Sequence, residues 1–408
     1  MATFEHKTRA GKILPVAIIG AGVAGLTLAI RLRQTGHSVR VFEARDRKAL
    51  QEGAFLTLAP NGINALRALG LAERISALGM PTVGFEILNA SGRRLALTDE
   101  RETQREVAAQ SITLSRSALL GALLREAEAL GVEVHFEHVL TELSRLENGV
   151  ALSFDNGVTV PAPWVAGCDG VWSRTRRLAF PDAPQPVYTG LTGTGGFVDL
   201  PEVPETNGFM RMVFGEKAFF GYMKQGDGSV FWFDSFPLTE EEALARPDPK
   251  ALAAMTRNLH ARDPAPVRDI AAAISEVPRA YPVFDMAHLP NWHDDRVVLL
   301  GDAAHAVSPH AGQGASMAIE DAVVLAACLP AEPSPARAFA AYQELRRRRI
   351  EHIVRVSRRN GSQKRATGRI ALFLRDLILP WVIPLGVRAG RSVHRYRADL
   401  DPLVQPVV

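Results

Sequence analysis

Cysteine is nearly absent from this chain of 408 residues: there are two, Cys168 and Cys328. Two thiols cannot build a disulfide framework and are too few for a zinc cluster, so a stapled secreted scaffold is excluded and a reducing cytoplasm is the expected setting. Charge of one sign is also missing. The 47 Lys and Arg residues stand against 44 Asp and Glu, a net charge of +3. No basic patch interleaves with aromatic residues, so no nucleic-acid partner is expected. The longest apolar run, Ile370 to Val387, is interrupted by Arg375 and Asp376 and broken by Pro380 and Pro384. It reads as a docking helix and not as a membrane span. Met1 to Lys12 carries mixed charges without an apolar core and does not read as a secretory signal. There is no internal repeat and no low-complexity tract.

What is present is a chain with 47% hydrophobic residues, long enough for two or three packed units. A predicted strand, Val16 to Ile19, leads into Gly20-Ala21-Gly22-Val23-Ala24-Gly25 and a helical run from Leu26 to Gln34 that stops at Gly36. A second strand, Ser38 to Phe42, ends in Glu43. This is a complete βαβ entry with an acidic terminus, the pattern of a Rossmann-type dinucleotide site. Gly20 permits the tight turn, Gly22 lets a pyrophosphate approach the backbone, and Gly25 allows close helix packing beside Ala24. The helix N-terminus attracts phosphate, and Glu43 stands where a carboxylate accepts hydrogen bonds from a ribose.

Further helices are predicted from a cap at Asn61 to a stop at Gly70, and over Ser115 to Leu130. Val132 to Phe136, Val150 to Phe154 and Thr159 to Val160 read as strands, with a turn at Asn156-Gly157. From about Phe180 to Tyr281 the helical period fades and aromatic strands take over, among them Phe219, Phe220, Tyr222, Phe231, Trp232 and Phe233 around a turn at Gly226-Asp227-Gly228. The α/β pattern resumes with a buried strand from Arg296 to Leu300 and a helix from Gln313 to Leu329. The expected fold class is therefore α/β: a discontinuous Rossmann-type dinucleotide domain, residues 1–180 and 281–360, interrupted by an antiparallel-sheet substrate domain, 181–280, with a C-terminal helical segment, 361–408. A ligand cleft is expected where the two domains meet.

Two later motifs separate the nucleotide possibilities. Asp169-Gly170-Val171-Trp172-Ser173-Arg174-Thr175-Arg176 contains Asp-Gly-x-x-Ser-x-x-Arg, and Gly301-Asp302-Ala303-Ala304-His305 precedes Ser308-Pro309-His310-Ala311-Gly312-Gln313-Gly314. Together with the glycine turn, these ordered motifs resemble the class A flavoprotein aromatic hydroxylases, the family of para-hydroxybenzoate and salicylate hydroxylases, over nearly the whole chain to about residue 360. The resemblance implies that Asp302 binds the ribityl hydroxyls of FAD. It associates Asp169 with both FAD and NAD(P)H, and has Arg116, in an Arg-x-x-Leu setting, touch FAD, with Arg45 as a weaker contact. Pro309, Gly312 and Gly314 would shape a bend whose free N–H groups face the flavin and stabilise its reduced anion. It further implies NADPH or NADH as cosubstrate, an aromatic or polycyclic small-molecule substrate, and dioxygen adding at flavin C4a to give a hydroperoxide that transfers one oxygen atom.

The residues set bounds on this expectation. His310 and Tyr222 are the candidates for a catalytic base, and Arg211, Phe220, Tyr222 and Phe233 for substrate contact, with Arg211 facing either an acidic group or a surface ion pair. No metal site is expected, since His305 and His310 have neither a helical-pair spacing nor a zinc-motif spacing. Cys168 reads as a small core residue. Gly190 to Gly196 lacks the lysine of a phosphate loop, and Arg346 to Arg349 reads as a solvated helix face. The competing functions are a flavin dehydrogenase or halogenase, although the Trp-x-Trp-x-Ile-Pro halogenase sequence is missing, and a silent flavin or nucleotide sensor.

Overall fold

The computed structural model describes residues 14–51, 53, 55–224, 226, 229–245, 247–362, 364, 372, 374, 376–381 and 391–400. The Met1–Lys12 segment, much of the Ile370–Val387 run, much of the 361–408 segment, and Asp227 and Gly228 of the expected turn lie outside the described residues.

Five short strands form one all-parallel sheet in the spatial order Val297–Leu299, Val165–Gly167, Val16–Ile19, Val39–Phe42, Glu133–His135. The first strand in sequence is thus central, as a Rossmann-type crossover requires. Parallel strands are covered on both faces, which explains their continuous Val and Ile runs. The helices Val23–Gln34, Arg116–Ala129 and Gly314–Ala331 share one hydrophobic core with this sheet.

The Gly314–Ala331 helix is long and apolar enough to cross a bilayer by composition alone, but 72% of that window is buried inside the protein. It also carries the ion-paired Glu320 and Asp321. It is a core helix.

A seven-stranded sheet has the order Tyr281–Asp285, Val187–Asp199, Ser229–Pro237, Phe219–Lys224, Phe209–Phe214, Gly84–Asn89, Arg94–Asp99. It draws Gly84–Asn89 and Arg94–Asp99 from the segment that precedes the aromatic region, with Gly84–Asn89 parallel to Phe209–Phe214. The glycine-rich stretch 190–196 lies inside the 13-residue strand Val187–Asp199.

Alternation divides this sheet into two faces. Phe220, Tyr222, Trp232 and Asp234 share one face, packed against the helices Pro249–His260 and Val267–Ala273. Phe219, Phe231 and Phe233 share the other, where Phe55 meets Phe231 and Phe233 edge-on at 5.3 and 5.7 Å between ring centroids. Phe55 belongs to the strand Phe55–Leu58, which pairs Phe55 with Ser115. The phenylalanine face therefore abuts the segment that starts the Arg116 helix.

Two local expectations are corrected. The helix near Asn61 spans Pro60–Arg67 and begins at Ala59, with Pro60 in its first turn. Asn61 lies inside the helix and sends its amide to Gln313 and Glu320, at 2.9 and 2.6 Å. Proline's fixed φ starts the helix without a side-chain cap. Second, Arg346 and Arg349 are not a solvated face: they are buried, at 0% and 7% exposure. They fall on the same stripe of the Pro335–Ser362 helix as Tyr342, Ile350 and Ile353, and two buried carboxylates neutralise them.

Candidate active site: a glycine cradle below a phenylalanine face

The glycine turn is built by close approach. Gly20 has φ +104°, and a Cβ there would stand 2.5 Å from the Cys168 carbonyl oxygen; one on Gly25 would stand 1.9 Å from the Gly20 carbonyl oxygen. At Gly22 a Cβ would meet nothing within 4 Å. The outer two glycines are thus fixed by the protein's own packing, while the middle one, at the N-terminal end of the Val23–Gln34 helix, faces open space suited to a phosphate. Glu43, buried at the end of the second strand, accepts from the Ala21 N–H at 2.8 Å and ion-pairs with Arg45 at 3.1 Å. It therefore ties the turn to the strand and positions Arg45. Ala24 packs under Gly301, so the turn and the Gly301-Asp302 segment are in contact.

Asp302 opens a short helix, Asp302–His305, behind Gly301 at φ +57°. Its side chain is exposed beside the turn, with protein close enough around it to desolvate the carboxyl in part. That desolvation raises its pKa, against the lowering influence of His305 and Arg116. Asp302 makes no hydrogen bond with the described residues. Arg116 begins the Arg116–Ala129 helix, whose Ser115 cap accepts from the Ala118 N–H at 3.1 Å. Its half-buried guanidinium likewise has no hydrogen bond or ion pair among the described residues. Burial lowers its pKa and Arg45 lowers it further, while Tyr281, Asp302 and Glu43 oppose the shift. An acceptor and a donor thus stand unpaired beside an open phosphate-sized turn. Both groups are open to solvent and so available to a ligand, and the ribityl hydroxyls and phosphates of FAD are partners of the right chemistry.

Asp169 is already engaged. It accepts from Ser173 Oγ, and from the Thr175 N–H and Oγ1 at 2.9 and 3.0 Å. Arg176, fully buried, donates to the carbonyls of Ala303 and Val171, both at 2.7 Å. The Asp-Gly-x-x-Ser-x-x-Arg segment therefore braces the back of the Asp302 turn.

A network unforeseen in the sequence supports the same turn from below. Asp321 accepts from the Gly301 N–H at 3.0 Å and pairs with His305 at 2.5 Å and with Arg346 at 2.8 Å. Glu320 pairs with Arg346 at 2.6 Å and Arg349 at 2.9 Å. Burial alone would raise both carboxyls, but His305 and Arg346 hold Asp321 far below its ordinary range, and Arg349 and Arg346 lower Glu320. The available signal was two adjacent acids in an otherwise apolar helix, and arginines three apart on an apolar stripe.

Pro309–Ala311 forms a single 3₁₀ turn, Gly312 takes the left-handed conformation, and Gly314 starts an 18-residue helix. That helix's first N–H groups have no carbonyl of their own to bond. The His310 ring packs on Gly361, where a Cβ would come within 2.4 Å of it. Of the expected substrate residues, Phe233 lies on the phenylalanine face. Phe220, Tyr222 and Arg211 share the opposite face, against the helices. There Arg211 pairs with Glu86 at 3.0 Å and donates to the Tyr222 hydroxyl at 3.4 Å. Burial raises the Tyr222 phenol, with Arg211 partly opposing. Cys168 and Cys328 are buried thiols, raised by desolvation, and no group of metal ligands occurs among the described residues.

Fold and cradle define a dinucleotide-binding α/β protein with an aromatic second sheet. Comparison with known proteins narrows this. Residues 14–357 match the family described as FAD binding domain. The chain is 33% identical over 349 residues to the 3-amino-4-hydroxybenzoate 2-monooxygenase of Streptomyces cremeus, covering 84% of this chain and 86% of that one. It is 30% identical over 371 residues to the aurachin C monooxygenase/isomerase of Stigmatella aurantiaca, covering 90% and 94%. The crystal structure of Klebsiella pneumoniae HpxO complexed with FAD and uric acid superposes with a TM-score of 0.80 at 25% identity, covering 97% of this chain and 98% of that one. The chain belongs to this FAD-binding family and is an FAD-dependent monooxygenase of the class A flavoprotein type.

Proposed function

We propose that the enzyme consumes NADH or NADPH and dioxygen to hydroxylate a small aromatic molecule lying between the glycine cradle and the phenylalanine face. The overall balance is substrate C–H plus O₂, NAD(P)H and a proton giving substrate C–OH, water and NAD(P)⁺. When bound, FAD supplies the two-electron reduction and the oxygen activation. The chain's own contributions are distinct. Asp302 and Arg116 hold the cofactor's polar groups, the Gly314 helix start presents N–H donors to developing negative charge, and the packed Phe55, Phe231 and Phe233 rings exclude water. The observation that carries the reading is the pairing of unsatisfied Asp302 and Arg116 with a wall of aromatic rings. A relative named for 3-amino-4-hydroxybenzoate and a solved neighbour complexed with FAD and uric acid support it. The reading includes a cytoplasmic setting, supported by the two buried free thiols.

The test is an aromatic-substrate screen followed by oxygen-dependent NAD(P)H oxidation and product mass. The expected result is a product heavier by one oxygen atom, labelled when ¹⁸O₂ is used. NAD(P)H oxidation yielding only hydrogen peroxide across the screen would overturn the hydroxylase reading.

A further inference from the structure

Residues 372, 374 and 376–381 are helical and carry two unlike faces. On the inner face Leu379, 2% exposed, packs with Ile87, Leu95, Phe214 and Phe219 of the seven-stranded sheet. Asp376 accepts there from the Asn89 side-chain amide at 2.9 Å. Leu374, Leu377, Ile378 and Trp381 are instead exposed, at 48%, 57%, 52% and 77%. Their offsets of three, four and seven residues put them on one side of a helix, turned away from Leu379 and Asp376. Trp381 is the most exposed large apolar side chain among the described residues. Leu379 and Asp376 already fasten the helix, so its outer apolar face is not needed to hold it to the protein, and a clustered face of this kind marks an interaction surface.

Charge selects the partner. Residues 361–390 contain five cations, Lys364, Arg365, Arg369, Arg375 and Arg388, and one acid, Asp376. That excess of four positive charges stands in a chain whose net charge is only +3, so the basic balance of the whole protein is concentrated in the segment that carries the apolar face. Its one acid is turned to Asn89. An apolar helix face with a tryptophan, set in a basic segment, is the composition of a helix that lies in the plane of a bilayer interface: the apolar side chains enter the acyl boundary and the cations meet anionic headgroups. A second copy on the same face would set like charge against like charge across a two-fold axis. Leu379, fixed in the protein, keeps the helix on its surface and out of a spanning position.

We propose that the face formed by Leu374, Leu377, Ile378 and Trp381 docks the enzyme on an anionic phospholipid bilayer, with the helix lying in the interface and Trp381 at the level of the headgroups. The inference goes beyond the hydroxylase reading and does not depend on it. The apolar side chains supply the insertion and the surrounding cations the preference for negative lipid, so both composition and salt govern the binding.

The test uses the full-length, FAD-loaded enzyme and vesicles of phosphatidylcholine with or without about 30% phosphatidylglycerol. Binding is read by co-sedimentation, and insertion by quenching of tryptophan fluorescence with lipids brominated in the acyl chain. The parent is expected to partition about tenfold or more strongly onto the anionic vesicles than onto the neutral ones, and less as salt rises. The double variant Leu377→Gln, Trp381→Gln is expected to lose about tenfold or more of that binding. Its FAD content and melting temperature should match the parent, since both side chains are exposed. Trp381→Phe is expected to keep most of the binding and lose the quenching. A parent that binds neither vesicle, a double variant that binds as the parent does, or quenching that persists in Trp381→Phe overturns the proposal. So does a lipid-independent dimer that the double variant dissociates, because the face would then belong to a second copy. If the double variant does not fold, the parent's quenching and its loss in Trp381→Phe still decide.

Discussion

Around the glycine cradle the polar groups stand open, whereas on the helix-packed side of the seven-stranded sheet comparable groups are paired. Asp302 and Arg116 have no partner among the described residues. Across the molecule, Asp234 accepts from the Thr194 N–H and Oγ1 at 2.9 and 2.6 Å, and His260 meets Asp263 at 2.7 Å. Lys224 donates to the carbonyls of Leu200, Pro201 and Val203. Polar groups that solvent reaches and no protein group engages are free to meet a ligand, whereas charged groups sealed between the sheet and its helices have to be paired within the protein. The paired side is scaffold, and the unpaired side is where chemistry is expected.

The largest effect is expected where the scaffold's pairing supports the cradle. Arg346→Met removes the guanidinium shared by Glu320 and Asp321, leaving Glu320 with Arg349 and Asp321 with His305, and removing one partner of a buried pair costs up to about 3 to 5 kcal/mol. Thermal or chemical unfolding measures it. A variant as stable as the parent would mean that the network contributes little to the fold.

Next comes the cradle itself. Asp302→Ala deletes an acceptor that the protein does not use, so melting of the FAD-free protein should be nearly unchanged. FAD affinity should fall roughly ten- to more than a hundredfold, at about 1.5 to 3 kcal/mol per charged hydrogen bond. Glu43→Ala should lose both affinity and stability, because Glu43 also holds Ala21 and Arg45. Flavin titration and melting, run together, separate the two kinds of residue; equal behaviour of both variants would erase the distinction.

A smaller contrast lies within the glycine turn. Gly25→Ala forces a methyl against the Gly20 carbonyl and should destabilise the fold by about 1 to 3 kcal/mol. Gly22→Ala meets no protein atom, so it should leave unfolding within about 0.5 kcal/mol of the parent and weaken FAD binding alone.

The smallest effect is in pH dependence, and its sign differs between the two regions. Burial would lower His260, but hydrogen bonds and charges from Asp234 and Asp263 outweigh it and raise its pKa above the ordinary 6.5. Its stabilising contribution is therefore complete below about pH 6.5 and is lost as pH rises through its folded value. Glu320 and Asp321 are lowered from 4.5 and 3.8, so their contribution is present above those values and lost as pH falls. Denaturant midpoints should thus decline on the alkaline side in the parent but not in His260→Gln, with the acid-side decline kept in both.

Much of the cradle was legible in the chain because it is local. Gly20, Gly22, Gly25 and the strand ending at Glu43 are specified by backbone conformations and short spacings that a sequence carries directly. The Ser115 cap of the Arg116 helix and the resumption of α/β pattern at Val297 are of the same kind. The two faces of the second sheet were not legible. Phe219 and Phe220 are both apolar, as are Phe231, Trp232 and Phe233, so a period of two gives no sign of which residues turn toward the helices and which toward Phe55. Packing against the Pro249–His260 and Val267–Ala273 helices decided that, and it moved Tyr222 and Arg211 to the scaffold side. Arg346 and Arg349 read as solvated because their charge is local while the neutralising Glu320 and Asp321 lie on another helix. Only the tertiary structure brings those four together, since a charge can be buried only where the fold delivers its counter-ion.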